Sequence, residues 1–147
     1  RDDNQWYFRT RVDEEFNHLR GLFYPHGIKK IPDIIGDLMV SPLSLAVWFM
    51  DDGTLDYREK SHCSFWISTH SFSVEDCWKL IAVLKSTFEV DATVYNHLIR
   101  GKRYPRIYIG SKGRERFAEV VRPHILDCFK YKLPEFRHTL QRLAQPS

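Results

Sequence analysis

The sequence lacks any apolar run near the roughly 18 residues that a helical membrane span requires, which excludes an integral helical membrane protein. Cysteine is scarce. Cys63, Cys77 and Cys128 are odd in number, widely spaced and without a C-x-x-C pair, so neither a disulfide framework nor a zinc site is indicated. His62 and Cys63 are adjacent, but on a strand they would point to opposite faces. A reducing, intracellular setting, cytoplasmic or organellar rather than secreted, is expected, and Arg1 opens a polar stretch rather than a secretory leader. Charge of one sign is also in short supply: 22 Lys and Arg against 19 Asp and Glu leave +3, too little to identify a nucleic-acid partner by itself. Aromatics, in contrast, are plentiful. Four Trp, seven Tyr and ten Phe within 147 residues of 43% hydrophobic content exclude a disordered chain and suffice for one globular core.

Periodicity gives the order of elements. Trp6–Val12 reads as a short strand, and Phe16, Leu19, Leu22 and Phe23 give Glu14–Phe23 helical spacing; Pro25 and Gly27 then break the chain. Ser41-Pro42 has the form of an N-cap and first-turn proline opening an apolar helix, Leu43 to Met50, which runs into Asp51-Asp52-Gly53. Residues 54–58 and 62–69 alternate as a hairpin, with Cys63, Phe65 and Ile67 toward the core and Ser64, Trp66, Ser68 and His70 opposite. Ser73-x-x-Asp76 caps a helix to about Phe88 that turns Cys77, Leu80, Ile81, Leu84 and Phe88 inward. Strands at about 92–99 and 104–110 flank a turn at residues 100–103. Helix follows through Phe117, Val120 and Val121, then over 123–131, and again after Pro134.

The two ends of the chain share an ordered pattern. Tyr7-Phe8-Arg9-Thr10, Phe16 and Lys29-Lys30-Ile31-Pro32 recur as Ile107-Tyr108-Ile109-Gly110, Phe117 and Tyr131-Lys132-Leu133-Pro134. The matched spacing to K-[IL]-P predicts a true repeat. Residues 1–40 are then the tail of a preceding unit and residues 41–147 the next repeat.

Leu45-Ala46-Val47-Trp48-Phe49-Met50-Asp51-Asp52-Gly53 resembles the nine-residue LAGLIDADG motif, in the variant ending W-[FY]-M-D-D-G. D-D-G alone could be a strand-entering turn. The context makes it more specific: S-P-L-x-L-A-x-W-x-M-D-D-G on a helix, the ββαββα order that follows, S-T-x-S-F-S before the middle helix, and Y-K-L-P after the second strand pair. Together these cover about residues 7–136 and resemble the second repeat of the LAGLIDADG homing endonuclease family. The resemblance implies an α+β fold, an αββαββα unit with a saddle-shaped antiparallel sheet. It also implies double-stranded DNA as partner, and a second LAGLIDADG repeat, either an amino-terminal half or another copy, whose motif helix packs against this one.

The resemblance further implies metal-dependent hydrolysis of DNA phosphodiesters, with Asp52 and Gly53 at the metal position and Mg²⁺ or another divalent cation as cofactor. A carboxylate suits that ion, which prefers hard oxygen ligands and takes most of them from water and phosphate. Asp51 is expected to serve the helix end rather than the metal, and Gly53 to let the helix end against DNA. Met50 and Val47 replace an acid and a glycine of the broader motif. Lys132, with Lys30 as its counterpart in the preceding repeat, matches the family's basic residue near the active site, and His70 matches a polar position that orders water. Arg58, Lys60, Ser64, Trp66, Ser68, Tyr95, His97, Arg106 and Tyr108 are expected on the DNA face, where their donors and acceptors suit base edges. Lys102 and Arg103 belong to a basic run from Arg100 to Arg116 and are expected at phosphates.

Two rival readings stand beside cleavage. The family resemblance also embraces intron maturases that bind RNA and DNA-binding regulators that do not cut; an interaction domain unrelated to nucleic acid is the third reading. The apolar motif helix is expected to be buried all round, with one face satisfied only by a partner.

Overall fold

The computed structural model describes residues 9–99 and 101–136. The chain begins with α1 (Glu14–Phe23), a 3-10 turn at Pro25–Gly27 and the short α2 (Ile35–Leu38). The motif helix α3 (Pro42–Asp52) leads into β1 (Gly53–Arg58) and β2 (His62–Ser68); α4 (Val74–Phe88), β3 (Thr93–Ile99), β4 (Lys102–Ile109) and α5 (Arg114–Val121) follow. From α3 onward this is the expected αββαββα order. The strands form one antiparallel sheet in the order β1-β2-β4-β3, and the helices bury one of its faces.

Local chemistry sets the element ends. The Ser41 hydroxyl accepts the Leu43 N–H at 3.2 Å and Pro42 occupies the first turn, so α3 starts where the fixed proline φ already suits a helix. Ser73 accepts the Asp76 N–H at 3.0 Å to open α4. That helix stops at Glu89, whose left-handed φ of 60° lets its N–H reach the Leu84 and Lys85 carbonyls, as in a glycine-type C-cap.

The core centres on Phe49 of α3, Phe65 of β2 and Phe117 of α5, whose ring centroids lie 5.5, 5.0 and 4.9 Å apart. Such aromatic packing adds to the burial gain of three large side chains. Cys77, Leu80, Ile81, Leu84 and Phe88 face inward from α4, as their spacing predicts. Ile31, Ile35 and Met39 join the same buried cluster, so the segment before residue 40 is docked on the unit that follows. Lys79 fastens it, with its ammonium bonded to Asp33 and, at 3.4 Å, to the Ile31 carbonyl.

Three expectations change. The strand at 6–12 lies partly outside the described residues, and residues 9–12 carry no strand; the strand half of the repeat therefore goes unmatched here. The turn expected at residues 100–103 is shorter, because Lys102 pairs with Ile99 and Arg103 with Leu98. Gly101, with φ 78°, supplies the positive φ that a two-residue hairpin loop needs. The helix expected over 123–131 is two 3-10 turns, Arg122–His124 and Asp127–Lys132, parted by extended Ile125 and Leu126. The break falls at Ile125, extended at φ −78° and ψ 122°, and not at Pro123, which a first turn tolerates. Helix does begin at Pro134 as expected.

Candidate nucleic-acid interface and active site

Within this chain the motif helix has one open face, as expected of a single repeat. Leu45, Ala46, Phe49 and Met50 are buried, whereas Leu43 and Val47, one turn apart, are 52% and 53% exposed. An apolar stripe is thus left open along α3. Beside it Phe23, Tyr24, Ile35, Leu38 and Trp48 line a hollow of about 530 Å³ that extends to Asp52.

At the carboxyl end of α3, Asp51, Asp52, Gly53, Thr54, Ser68, Tyr131 and Lys132 line a second cleft, of about 430 Å³. Asp52 borders both hollows. Gly53 ends the helix with an extended backbone, φ −86° and ψ 152°. Glycine is needed there for space, since a Cβ would overlap the ring and carbonyl oxygen of Phe49. Lys132 is 8% exposed. Its ammonium donates to the Met50 carbonyl at 2.6 Å and the Phe49 carbonyl at 3.4 Å, two carbonyls of the last helical turn, the second of which also accepts the Gly53 N–H. Burial pushes the Lys132 pKa down, against the opposing pull of Asp51 and Asp52. Sequence reasoning placed this lysine near the site but missed its grip on the motif helix.

Two other expected site residues lie elsewhere. His70 is exposed and does not line the Asp52 cleft; its ring lies 5.4 Å from that of Tyr104, because β2 ends at Ser68 and carries the chain past the cleft. Ser68 takes the polar place beside Asp52. Lys30 is exposed and lines neither hollow, while the aliphatic residues after the two lysines, Ile31 and Leu133, are 3% and 1% exposed. The K-[IL]-P segments thus bury the same residue.

Strand register defines the face of the sheet turned away from the helices. It carries Thr54, Asp56 and Arg58 of β1, His62, Ser64, Trp66 and Ser68 of β2, Thr93, Tyr95 and His97 of β3, and Lys102, Tyr104, Arg106 and Tyr108 of β4. Most of the expected DNA-facing residues are therefore brought together, and Lys60 sits in the β1–β2 turn at φ 63°. Arg103 is not among them: its register with Leu98 turns it to the opposite side. Ser64 faces outward but is 0% exposed, with its hydroxyl held 2.9 Å from His62 Nε2. Asp56, His62 and Tyr104 were not singled out from the sequence, although alternation from the observed strand ends would have found them.

Asp56, His62 and Ser64 look at first like a hydrolytic triad. Asp56 Oδ2 and Ser64 Oγ both approach the same nitrogen, His62 Nε2, at 3.5 and 2.9 Å, so no relay through the two ring nitrogens exists. With Ser64 buried, nucleophilic hydrolysis has no footing there. At the sheet centre Trp66, Tyr95 and Tyr108 pack ring to ring at 4.6 to 5.6 Å, with the Arg106 guanidinium 5.0 Å over Trp66.

The chain thus sets a helix ending in Asp-Asp-Gly beside a buried lysine, next to a four-stranded sheet with a polar and aromatic outer face. The sequence model of the LAGLIDADG DNA endonuclease family matches residues 1–117. The chain belongs to that family. Its LAGLIDADG relatives include DNA endonuclease I-ChuI of Chlamydomonas applanata, 27% identical over 89% of this chain and 62% of the relative. A probable intron-encoded endonuclease of Wickerhamomyces canadensis is 34% identical over 87% and 54%. A cytochrome b mRNA maturase of Debaryomyces hansenii is 28% identical over 88% and 46%. The structure is similar to that of the homing endonuclease I-WcaI bound to its DNA recognition sequence, with a TM-score of 0.70 and 33% identity over 80% of this chain and 51% of the other. The LAGLIDADG chain described here thus spans about half the length of the relatives it matches. No helix among its described residues is long and apolar enough to cross a membrane.

Among the described residues no group of three or more His, Cys, Asp or Glu side chains could hold a metal ion. The Asp52 cleft still fits a hard divalent cation, which needs only one or two protein oxygens and takes the remainder from water and substrate phosphate.

Proposed function

We propose that this chain is one repeat of a site-specific, divalent-metal-dependent homing endonuclease, acting inside the cell on double-stranded DNA. It does so only when a second motif-bearing repeat, an amino-terminal half or another copy, covers the open stripe of α3. The observation that carries this reading is the convergence at Asp52 of the hollow beside that stripe and the Lys132 cleft. One acid per repeat then serves a site that needs two. Asp52 and the Gly53 carbonyl would hold the ion, which when bound activates water and stabilises the leaving oxygen. Lys132 fixes the helix end that carries Asp52. The outer sheet face holds the duplex, with Arg58, Lys60, Lys102 and Arg106 meeting DNA and Trp66, Ser68, Tyr95, His97 and Tyr108 facing its bases.

A second reading, assistance to RNA splicing, is favoured by the maturase among the relatives. The experiment that separates them is strand scission of a bound duplex by the two-motif assembly with Mg²⁺. Asp52→Asn should abolish cutting while duplex binding persists, and Asp51→Asn should do less. Equal cutting by Asp52→Asn would reduce the motif to a structural turn. Tight duplex binding by the wild type with no scission would put the maturase or regulator reading in its place.

A further inference from the structure

Resting on the duplex-binding reading above, we propose that Arg106 reads a guanine edge in the major groove within roughly five base pairs of the cleaved bond, and that its partner is that base rather than a backbone phosphate. Arg114, Arg116 and Arg122 each have a hydrogen-bond acceptor in the protein, the Cys63 carbonyl, Glu119 and Glu135 respectively, and Arg58 has an ion pair with Asp56. Arg106 is half buried and, among the described residues, has neither an ion pair nor a hydrogen bond; its Nε is buried without a partner. Burial pushes its pKa down. Such a cation is costly in the free protein unless a ligand supplies acceptors.

Its position selects the kind of ligand. β2 and β4 are the two inner strands of the sheet, so Arg106 stands on an inner strand of the outer face and not on an edge strand. The ring of Trp66 holds the guanidinium at 5.0 Å, and Tyr95 is its partner across β3. A guanidinium stacked in this way has lost most of its rotamer freedom before DNA arrives and presents a planar fork. Guanine O6 and N7 are the pair of acceptors that such a fork matches in the major groove. Ser68 gives the location: it is Arg106's cross-strand partner and also lines the Asp52 cleft. Strands lie about 5 Å apart and base pairs about 3.4 Å, which keeps the contacted base close to the cut.

The test is selection by the two-motif assembly from a library of randomised duplexes, followed by binding to the selected site with single substitutions. Wild type should select guanine at one position near the cut. Replacing that guanine by 7-deazaguanine, which lacks the N7 acceptor, or by another base should weaken binding about 5- to 150-fold, the range of a bidentate pair. Arg106→Gln should erase that difference. Arg106→Lys, which keeps the charge but not the planar fork, should retain binding to unrelated duplexes while weakening the discrimination. A uniform loss across all sequences in Arg106→Gln, with a salt slope shallower by about one, marks a phosphate contact and overturns the inference while leaving the endonuclease reading intact. Duplex binding by the wild type that is absent, or indifferent to salt, overturns both.

Discussion

Lys132→Met is the substitution that best separates what this lysine does for the fold from what it does for the chemistry. Met has nearly the same length, so the space between Phe49 and Phe129, whose ring centroids lie 5.9 and 5.4 Å from the ammonium, stays filled. Two contacts are lost. The Phe49 carbonyl keeps the Gly53 N–H, whereas the Met50 carbonyl loses its 2.6 Å bond. A hydrogen bond from a charged donor contributes about 1.5–3 kcal/mol net, and a cation at a helix C-terminus is favourable in its own right. The lowered pKa shows that burial opposes the ammonium, and Met relieves that cost. The balance is a loss of about 1–3 kcal/mol, which in a chain of this size lowers Tm by about 3–10 °C.

The assay is thermal unfolding by circular dichroism, read beside cleavage, with Lys132→Gln as the companion. Gln offers a neutral donor to the same carbonyl, so it should recover part of the lost stability and none of the cutting. An unchanged Tm in Lys132→Met would refute the helix-capping account, whatever happens to activity. Full recovery of cleavage in Lys132→Gln would refute the need for a charge.

Gly53→Ala, by driving a methyl group into Phe49, should cost at least about 1–3 kcal/mol in denaturant unfolding; a neutral result would mean that β1 can shift. Glu89→Gly removes a side chain from a left-handed position and should stabilise the chain by about 1 kcal/mol, read as a raised denaturant midpoint with unchanged slope. The Lys79–Asp33 pair supplies the pH prediction. Lys79 holds the Asp33 carboxyl below its ordinary 3.8, so that contribution is present above 3.8 and lost as pH falls through the lower folded value. Asp33 raises Lys79 above 10.5, so the matching contribution is present below 10.5 and lost as pH rises through the higher folded value. Lys79→Met should therefore narrow its gap to wild type at both extremes, most clearly in acid; a gap that ignores pH would show that only packing was lost.

The helices and strands were legible where a period, a cap and an apolar count agreed. α4 is the clearest case: Ser73 opens it and five expected residues are buried. The misread positions share a cause, which is that register depends on residues of no strong preference. Arg100-Gly101-Lys102-Arg103 reads as a polar turn of any length from two to four. Only pairing with β3 decides that Lys102 joins the outer face and Arg103 the other. Ser64 follows the alternation correctly, yet it is buried with its hydroxyl bonded to His62, two residues earlier on the same strand, and alternation assigns a face but not how deeply a residue is covered.

The motif was legible for a different reason. Its helix carries more apolar surface than one repeat can bury, so composition alone demands a partner. What composition could not give is the division of that surface. Phe49 and Met50 serve this chain's own core, while Leu43 and Val47 are 52% and 53% exposed. The same helix is therefore a core element on one side and an unfinished interface on the other, and the acid at its end stands where the two sides meet. On the proposed function, repeat pairing and construction of the active site are one event. A polar change at Val47 should lower cleavage by preventing assembly while leaving the fold of the single repeat and its Lys132 cap in place.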